Sequence, residues 1–338
     1  MSKVLLSVII PTTDLNRLPL LMRGIDSLQN QDLDHRLFEI IVVSNYPLDL
    51  NRNIDISIKI INTDQRNLGA KLVIGAINST SDVLAFLEDD DTFAENKLSI
   101  LSRVFLGNSK LGYFKHALKL VSEFGSEYYD PDFMDVQKNL LFNNGTELMK
   151  YISLKNFGNF YSVVSSIAIR KRIIEKISLC LMRINFNSDL SLLLSSIDSD
   201  LSLSFSTDRL TNYTIHESGT RFSPNISKNE FTNKIVKYLT DCINTSMELK
   251  DCVLSQKTQE FLEDILNKQE LELMRWHNVE LTLFLKKLFK YSLSSNYKSR
   301  DIKFLLINIL FLIFPKHMKE LYMRTSLRKI EQTKKNEI

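Results

Sequence analysis

Cysteine is scarce in this chain, with three residues among 338. Cys180, Cys242 and Cys252 are an odd number and lack the spacing of metal ligands, which argues against a cysteine metal site. We expect reduced thiols in a packed core, and hence a reducing, cytoplasmic location. The net charge is also low, at +3, so no global electrostatic field indicates a nucleic-acid partner.

Apolar runs long enough to cross a membrane are missing as well. Segment 304–314 is apolar except for Asn308, and its eleven residues are too few for a spanning helix, which needs about 20. Seven lysines and arginines follow within twenty residues. Two interpretations of 302–335 stay open: a helix lying on an anionic membrane at the inner face of the cell membrane, or a core helix with a solvated basic tail. We expect no signal peptide, because Met1-Ser2-Lys3 leads straight into an apolar strand.

The first hundred residues alternate between two hydrophobic patterns. Short β-branched runs predict strands, and apolar residues at helical spacing predict helices between them. Such alternation is typical of βαβ units, so we predict an α/β fold with a mostly parallel sheet flanked by helices. Apolar residues make up 44 % of the chain, enough for a well-buried interior. The predicted strands are 4–10, 38–43, 56–61 and 83–87, and the predicted helices are 18–28 and 68–77.

The rest of the chain is less regular and then becomes helical. Segment 167–169 predicts a strand that enters a helix at 170–177, and segments 201–205 and 213–216 predict two short strands. Ser227 and Glu230 have the spacing of a capping box, and helical patterns continue from there to the end. We place a boundary near residue 222, between a catalytic domain at 1–222 and a helical C-terminal region at 223–338.

Polar residues stand where three predicted strands end. Pro11 to Asp14 follow the first strand, Ser44 and Asn45 the second, and four acidic residues, Glu88 to Asp91, the fourth. Ligands of parallel sheets bind beyond the carboxyl ends of the strands, so these loops should meet in one crevice. Carboxylates so close together raise one another's pKa unless a cation compensates. The acidic run therefore indicates a divalent-metal site serving a nucleotide, or else a solvated acidic turn.

Five segments in this order resemble the family 2 glycosyltransferases, which have the GT-A fold. The resemblance is dense over 4–95, patchy to about 220 and absent afterwards. It implies transfer of a sugar, with inversion, from a nucleoside diphosphate to an acceptor such as a glycan or a lipid-linked hydroxyl. It further implies Mn²⁺ or Mg²⁺ as cofactor, a nucleotide-sugar half at 1–105 and an acceptor half at 106–222. The segments are 7–13 (SVIIPTT), 27–31 (SLQNQ), 39–45 (EIIVVSN), 67–69 (NLG) and 86–91 (FLEDDD).

The resemblance also assigns binding residues. The acidic run matches the family's metal motif, with Glu88 where Asp is usual, and His216 lies where some members place a further metal ligand. Thr13 has a second interpretation as a helix cap, and Lys71 a second one as a solvated cation. The implied metal ligands are Glu88, Asp90, Asp91 and His216. The implied donor-binding residues are Pro11, Thr12, Thr13, Asp14, Ser44, Asn45, Asn67, Gly69, Lys71, Asp89 and Asp90.

An inverting transfer needs a base that takes the proton from the acceptor hydroxyl. The family uses a carboxylate at the start of a helix about 100 residues after the metal motif, and Asp189 has that place. Asp189 could instead be only a helix cap, which leaves Asp198 and Asp200 as further candidates. For the acceptor, the resemblance points to Ser165 and to Tyr161 or Phe160, with core packing as the alternative for the rings.

Two other functions compete with glycosyl transfer. A sugar-nucleotide nucleotidyltransferase would normally show a glycine- and cation-rich loop near the N-terminus, whereas residues 8–24 contain one glycine and two arginines. A degenerate family member could act as a binding scaffold, since Glu88 and Ser44 depart from the usual pattern. The segment 272–276 (ELMRW) is similar to a motif of processive synthases, but helical packing explains Trp276.

Overall fold

Ten strands and twelve α-helices were assigned in the part of the chain that the computed structural model describes. Those residues are 4–50, 56–122, 125–128, 135–154, 156–215, 226–252, 255–277, 280–293 and 302–335. The strands are β1 Leu6–Thr12, β2 Phe38–Ser44, β3 Ser57–Asn62, β4 Val83–Phe86, β5 Thr92–Phe93, β6 Leu111–Ser122, β7 Glu127–Tyr128, β8 Leu140–Phe142, β9 Ile167–Arg170 and β10 Ser202–Ile215. The helices are α1 Leu18–Gln29, α2 Leu68–Ile77, α3 Lys97–Gly107, α4 Gly145–Tyr151, α5 Lys171–Lys176, α6 Ser178–Leu181, α7 Ser188–Ile197, α8 Lys228–Lys250, α9 Gln256–Met274, α10 Leu281–Leu293, α11 Ile302–Ile313 and α12 Pro315–Lys335.

The elements divide between two compact units. The first comprises residues 1–121, 132–152 and 156–214, and the second comprises 122–131, 153–155 and 215–338. The boundary predicted near 222 lies outside the described residues and stays a prediction. Each unit has its own apolar interior, so the two are treated separately.

A parallel half of the sheet dominates the first unit. The strand order is β3-β2-β1-β4-β9-β6-β10-β5, and β3, β2, β1 and β4 run parallel. All seven residues of β1 and of β2 are buried, because helices cover both faces of a sheet built from crossover connections. The α/β fold with a mainly parallel sheet, flanking helices and a helical C-terminal region is confirmed. The carboxyl ends of β1 and β2 lie side by side, with Thr12 opposite Ser44.

The other half of the sheet is antiparallel. Strand β9 pairs antiparallel with β4 on one side and with β6 on the other. The prediction of two short strands at 201–205 and 213–216 is wrong, since β10 runs unbroken from Ser202 to Ile215. Three consecutive exposed residues, 207–209, interrupt the apolar pattern without ending the strand. Its later residues pair with β5 and its first ones with β8, so the backbone stays extended throughout.

The second unit is helical. Its first helix begins at a capping box: Ser227 Oγ accepts from the backbone N–H of Glu230, and the Glu230 carboxylate accepts from that of Ser227. Trp276 is buried and packs edge-on against Phe231, 6.2 Å between ring centroids, which agrees with a packing role for the segment 272–276. Among the described residues, no helix combines the length and the apolar character that crossing a bilayer requires.

The cysteines differ from expectation. All three are buried, as predicted for core residues. Cys242 is a free thiol, but Cys180 and Cys252 are disulfide-bonded. The prediction of three reduced thiols is therefore wrong for two of them. The inference of a reducing compartment, which rested on those thiols, loses its support.

Candidate active site

A cavity of about 270 Å³ opens at the carboxyl ends of β1 and β4, where parallel sheets bind their ligands. Its wall combines cations with carboxylates, which suits a ligand that carries negative charge together with a metal ion. Six of the residues predicted from the sequence reach it, and four that the sequence did not suggest join them. The lining residues are Pro11, Thr13, Arg17, Arg66, Leu68, Lys71, Glu88, Asp89, Asp90 and Asn185.

The loop after β1 shapes one side of this cavity. Asp14 accepts a hydrogen bond from the backbone N–H of Asn16 and so caps a short 3₁₀ turn, Leu15–Arg17. The cap is therefore Asp14, not Thr13, and the Thr13 side chain is left to face the cavity. Thr12 is buried, and its hydroxyl donates to Asp89 Oδ2 at 2.7 Å. That bond ties the end of β1 to the acidic run that follows β4.

Lys71 comes from the first turn of α2 and is almost completely buried. Its ammonium donates to the backbone oxygen of Thr12 and to Thr13 Oγ1, at 2.6 Å each. Burial lowers its pKa to about 8, with the positive charge of Arg66 acting in the same direction and Asp89 opposing. The interpretation of Lys71 as a merely solvated cation does not agree with this position. It is a partly desolvated cation at the cavity wall.

Arg17 holds the acidic run from the opposite side. Its guanidinium donates to Asp89 Oδ1 through Nε at 2.8 Å and through Nη2 at 2.6 Å. The same Nη2 lies 2.7 Å from Asp90 Oδ2. With Thr12 on its second oxygen, Asp89 has both carboxylate oxygens in use. Asp89 is therefore a bridge between loops, and Asp90 shares its charge between Arg17 and the cavity.

Glu88 lies half-buried beside Asp90 in the cavity wall. Burial raises its pKa well above the ordinary value, and the charges of Asp91, Asp90, Asp189 and Asp89 add to that shift. Burial and the neighbouring carboxylates thus favour the neutral form of Glu88 over its charged form. A cation placed between Glu88 and Asp90 would restore its charge.

Asp91 turns away from the cavity and is completely buried. Its Oδ1 accepts from the backbone N–H of Thr214. Burial, then the charge of Asp90, raises its pKa to about 8. Lys97, also completely buried, donates to the backbone oxygen of Ser165, and Ser165 Oγ accepts from the backbone N–H of Glu88. The structure thus gives Ser165 and Asp91 positions behind the acidic run, rather than at an acceptor or a metal.

The donor set fits a divalent cation through two carboxylates. Mg²⁺ and Mn²⁺ take hard oxygen ligands and often bind through one or two carboxylates, with substrate phosphates and water completing the shell. Glu88 and Asp90 both line the cavity and could act in this way. Asp89 is saturated and Asp91 is enclosed, and no group of three or more metal-ligating side chains occurs among the described residues. His216, predicted as a further ligand, lies outside the described part of the chain.

The end of β2 carries Ser44 and Asn45, next to the end of β1. Ser44 is buried, and its hydroxyl donates to the backbone oxygen of Tyr46 at 2.7 Å. The Asn45 amide donates to the backbone oxygens of Thr63 and Gln65, which fixes its orientation. Its Oδ1 is buried and has no hydrogen-bond partner among the residues that the structure describes. A buried acceptor without a donor is costly, so this oxygen is a candidate contact for a ligand N–H.

Asn67 and Gly69 support α2. Asn67 Nδ2 donates to the backbone oxygen of Met182 at 3.3 Å, and the Gly69 N–H donates to that of Ile184 at 3.1 Å. A Cβ on Gly69 would lie 2.0 Å from the backbone oxygen of Leu181, so only glycine allows this approach. Their positions explain the predicted motif through packing: they fix the turn of α2 that delivers Lys71.

Asp189 lies in the first turn of α7, half-buried. Its carboxylate accepts from the backbone N–H of Val163 at 3.0 Å and from that of Leu190 at 2.9 Å. Two residues with left-handed backbone hold this arrangement: Val163 with φ 63° and Asn187 with φ 54°. For β-branched Val163 this backbone is strained, and such strain tends to occur at functional sites. Burial raises the pKa of Asp189 to about 6, against the opposing backbone hydrogen bonds.

The remaining predicted residues are placed as follows. Phe160 is buried and packs against Phe205, 4.9 Å between ring centroids, so it is a core residue. Tyr161 is half-buried beside Phe157. Asp198 is the C-cap of α7, and Asp200 is exposed beyond it. A helix of ten residues is about 15 Å long, so both lie far from Asp189.

Four cavity residues were missed by the sequence analysis: Arg17, Arg66, Leu68 and Asn185. Leu68 lies inside the recognised segment 67–69 and Arg66 directly precedes it, and that position was the available signal. Arg17 stands in a polar loop directly before α1, where a cation has no periodic pattern to reveal it. Asn185 lies four residues before Asp189, in a turn whose approach to the start of α2 the sequence does not reveal.

The sequence of residues 7–165 matches the family model described as glycosyl transferase family 2. The match covers the parallel half of the sheet, the acidic run and most of the segment up to Ser165. No curated protein matches the chain in sequence. The predicted resemblance is thereby confirmed over this region.

Solved structures with the same fold include those of S. aureus TarS. A crystal structure of TarS 1–349 in complex with UDP is 13 % identical, with a TM-score of 0.55, and the match covers 97 % of this chain and 92 % of that one. A complex of the same fragment with UDP-GlcNAc gives a TM-score of 0.54 at the same identity and coverage. A longer TarS structure is matched over 55 % of its length, with a TM-score of 0.53. At this identity the likeness shows a shared fold.

Proposed function

We propose, from the match of residues 7–165 to the model of glycosyl transferase family 2, that the chain moves a sugar, with inversion, from a nucleoside diphosphate donor to an acceptor hydroxyl. The observation that carries the proposal is the cavity at the ends of β1 and β4. Cations and carboxylates line it together, and the charge of Asp189 contributes to the raised pKa of Glu88 in its wall. A glycan or a lipid-linked sugar is the proposed acceptor class.

The cations of the cavity are suited to the diphosphate. Arg17 comes from the turn before α1, Arg66 from the loop before α2 and Lys71 from the first turn of α2, and all three line the same space. When the sugar leaves, negative charge builds on the diphosphate oxygen, and fixed cations stabilise that charge without having to reorganise. Lys71 is held by two hydrogen bonds at 2.6 Å, so it is already oriented before the donor arrives.

The nucleoside is proposed to lie over the ends of β1 and β2. Asn45 Oδ1 is buried without a donor from the described residues, and it would accept an N–H from the base. The solved complexes of TarS with UDP and UDP-GlcNAc make uridine donors the first to examine. Uracil carries one ring N–H in the position that an amide oxygen can accept, which agrees with this choice.

Glu88 and Asp90 are proposed to hold Mn²⁺ or Mg²⁺, which when bound supplies a positive charge that stabilises the leaving diphosphate. Asp90 would then share its carboxylate between Arg17 and the ion. The ion would favour the charged form of Glu88, which burial and the neighbouring carboxylates otherwise disfavour by raising its pKa. The Arg17 guanidinium can donate to phosphate oxygens in the fork geometry that suits them.

Asp189 is proposed as the base. Two backbone N–H groups orient its carboxylate, and a pKa of about 6 leaves it mostly ionised at neutral pH while keeping it basic enough to take a proton. The acceptor hydroxyl would lose its proton to Asp189 as its oxygen attacks the anomeric carbon. Attack opposite the leaving diphosphate inverts that carbon.

A donor screen tests the proposal. The chain is incubated with nucleotide sugars, uridine donors first, with Mn²⁺ or with EDTA, and the release of free nucleoside diphosphate is measured. We expect release from one donor and its loss in EDTA. The anomeric configuration of the product, read by NMR, tests inversion separately.

The screen also separates the competing scaffold function. A chain that binds a donor in calorimetry but releases no diphosphate, with any acceptor offered, would be a binding scaffold. A chain that binds none of the donors would contradict both proposals. Release that persists in EDTA would leave glycosyl transfer intact and remove the metal from it.

A further inference from the structure

The last described helices of the second unit expose apolar side chains in two ordered stripes. On α10, Leu285 and Phe289 are 46 % and 65 % exposed, in a stripe that repeats every four residues. On α11, Leu306, Leu310 and Ile313 are 55 %, 41 % and 58 % exposed, also on one side. These five residues are called the apolar C-terminal face below. Single exposed apolar residues are common, but ordered stripes mark an interaction surface.

The opposite side of the same helices is firmly packed. Phe304, Asn308 and Phe311 of α11 are buried, and Phe304 packs against Tyr291 of α10 at 5.0 Å between ring centroids. Arg275 donates to Asn308 Oδ1 at 3.0 Å. One side of α11 is therefore packed against the second unit, and the apolar residues on its other side are left exposed.

Charge distinguishes the partner. α10 and α11 carry four lysines and no aspartate or glutamate: Lys286, Lys287 and Lys290 on α10, and Lys303 on α11. Lys287 and Lys290 form ion pairs with Glu270 and Glu263 of α9, so the positive charge offered to a partner rests on Lys286 and Lys303. A second copy of this chain docked face to face would bring like charges together, since a two-fold interface pairs the same patch with itself. Anionic lipid headgroups are instead attracted by lysines that lie next to inserted apolar side chains.

We propose that the apolar C-terminal face binds the surface of an anionic lipid membrane, with α10 and α11 lying in the plane of the headgroups. The geometry agrees: α11 has twelve residues and is about 18 Å long, too short to cross the roughly 30 Å of hydrocarbon. Lysine side chains at the edge of the face extend to the headgroups while their stems stay on apolar surface. This binding does not depend on the proposed glycosyl transfer.

The test is co-sedimentation of the 338-residue chain with vesicles of phosphatidylcholine, alone or mixed with phosphatidylglycerol. We expect binding to the mixed vesicles, weakened by salt, and much less to phosphatidylcholine alone. The double variant Leu306→Gln/Leu310→Gln should lose at least about tenfold in binding. The matched control is Leu141→Gln/Leu179→Gln, two exposed leucines of the first unit, which should bind as the unchanged chain does. Circular dichroism checks that both variants fold.

Lysine removal sharpens the result. Lys303→Gln should weaken binding to mixed vesicles by about fivefold, the expected value for one lysine near an anionic surface, and should not affect phosphatidylcholine. Unchanged binding of the Leu306→Gln/Leu310→Gln variant, or no binding by the unchanged chain, overturns the proposal. A chain that self-associates in light scattering, ignores vesicles and becomes monomeric in the double variant would show instead that the face is an interface between copies.

Discussion

β2 and α11 are both mostly apolar, but they bury very different shares of their residues. Every residue of β2 is buried, whereas only Phe304, Asn308 and Phe311 of α11 are. A strand inside a parallel sheet is covered on both faces, so for β2 composition alone predicts burial. A surface helix is covered on one side, so for α11 composition does not say which residues meet solvent. In the first unit, apolar side chains form a buried scaffold for polar loops, whereas on α11 of the second unit several apolar side chains are exposed to solvent.

The largest expected effect concerns the polar loops of the first unit. Asp189→Asn keeps the shape of the side chain but cannot take a proton, so turnover should fall by about 10² to 10⁴ while donor affinity is kept. Turnover of the unchanged chain should fall as the pH drops through about 6, because the raised pKa of Asp189 lies there and protonation removes the base. Steady-state kinetics and calorimetry measure both.

The matched control for the base is Asp198→Asn, at the other end of the same helix. It should keep its turnover and its pH profile. If Asp189→Asn retains turnover, or if its pH profile still falls near 6, the base is another group and the strained backbone beside it has a different reason.

The contrast between β2 and α11 can be measured as stability. Ile41→Ala removes a completely buried side chain and should lower the free energy of unfolding by about 2 to 5 kcal/mol. Leu306→Ala removes one that is half-exposed, and should change it by no more than about 0.5 kcal/mol. Urea unfolding followed by circular dichroism gives both values. Similar losses in the two variants would mean that the outer side of α11 is packed after all.

The smallest expected effect tests Arg17 as a partner that the metal and the donor share. Arg17→Gln removes the guanidinium from Asp90, so Mn²⁺ should bind more tightly when no donor is present. Donor affinity should fall by about tenfold, because a charge-assisted contact to phosphate is lost. Calorimetry measures both, with Arg23→Gln on α1 as the matched control. Two changes of the same sign would contradict the sharing.

Much of the first unit could be predicted from its sequence, since strong apolar patterns determined it. α2 was predicted at its observed bounds, and β2 within one residue of its end. The prediction of two strands where the structure has one, β10, was wrong because exposed Asp208 and its neighbours interrupt the apolar pattern as a turn would. Pairing with β5 and β8 keeps the backbone extended there. The hydrophobic pattern of a sequence indicates which residues are buried, but it does not indicate which strands pair.

Site residues could be predicted where a polar loop directly follows a predicted strand. They could not be predicted where a contact joins two loops that are distant in sequence. The acidic run and Lys71 were identified because they adjoin recognisable segments. Arg17 was not, because its role depends on Asp89, 72 residues away in sequence. The disulfide-bonded state of Cys180 and Cys252 escaped for the same reason: an odd count and irregular spacing say nothing about proximity in the fold.

The two left-handed residues near Asp189 have a consequence for anyone who would search for or transplant this chemistry. The N–H that orients the carboxylate belongs to Val163, 26 positions upstream, while Asn187 turns the chain into the helix that carries the acid. The smallest segment set that could be transplanted is thus discontinuous. Grafting α7 alone would transfer Asp189 without the Val163 N–H that orients its carboxylate. Relatives with a different local motif could preserve the same geometry, and homology searches by short pattern would pass over them.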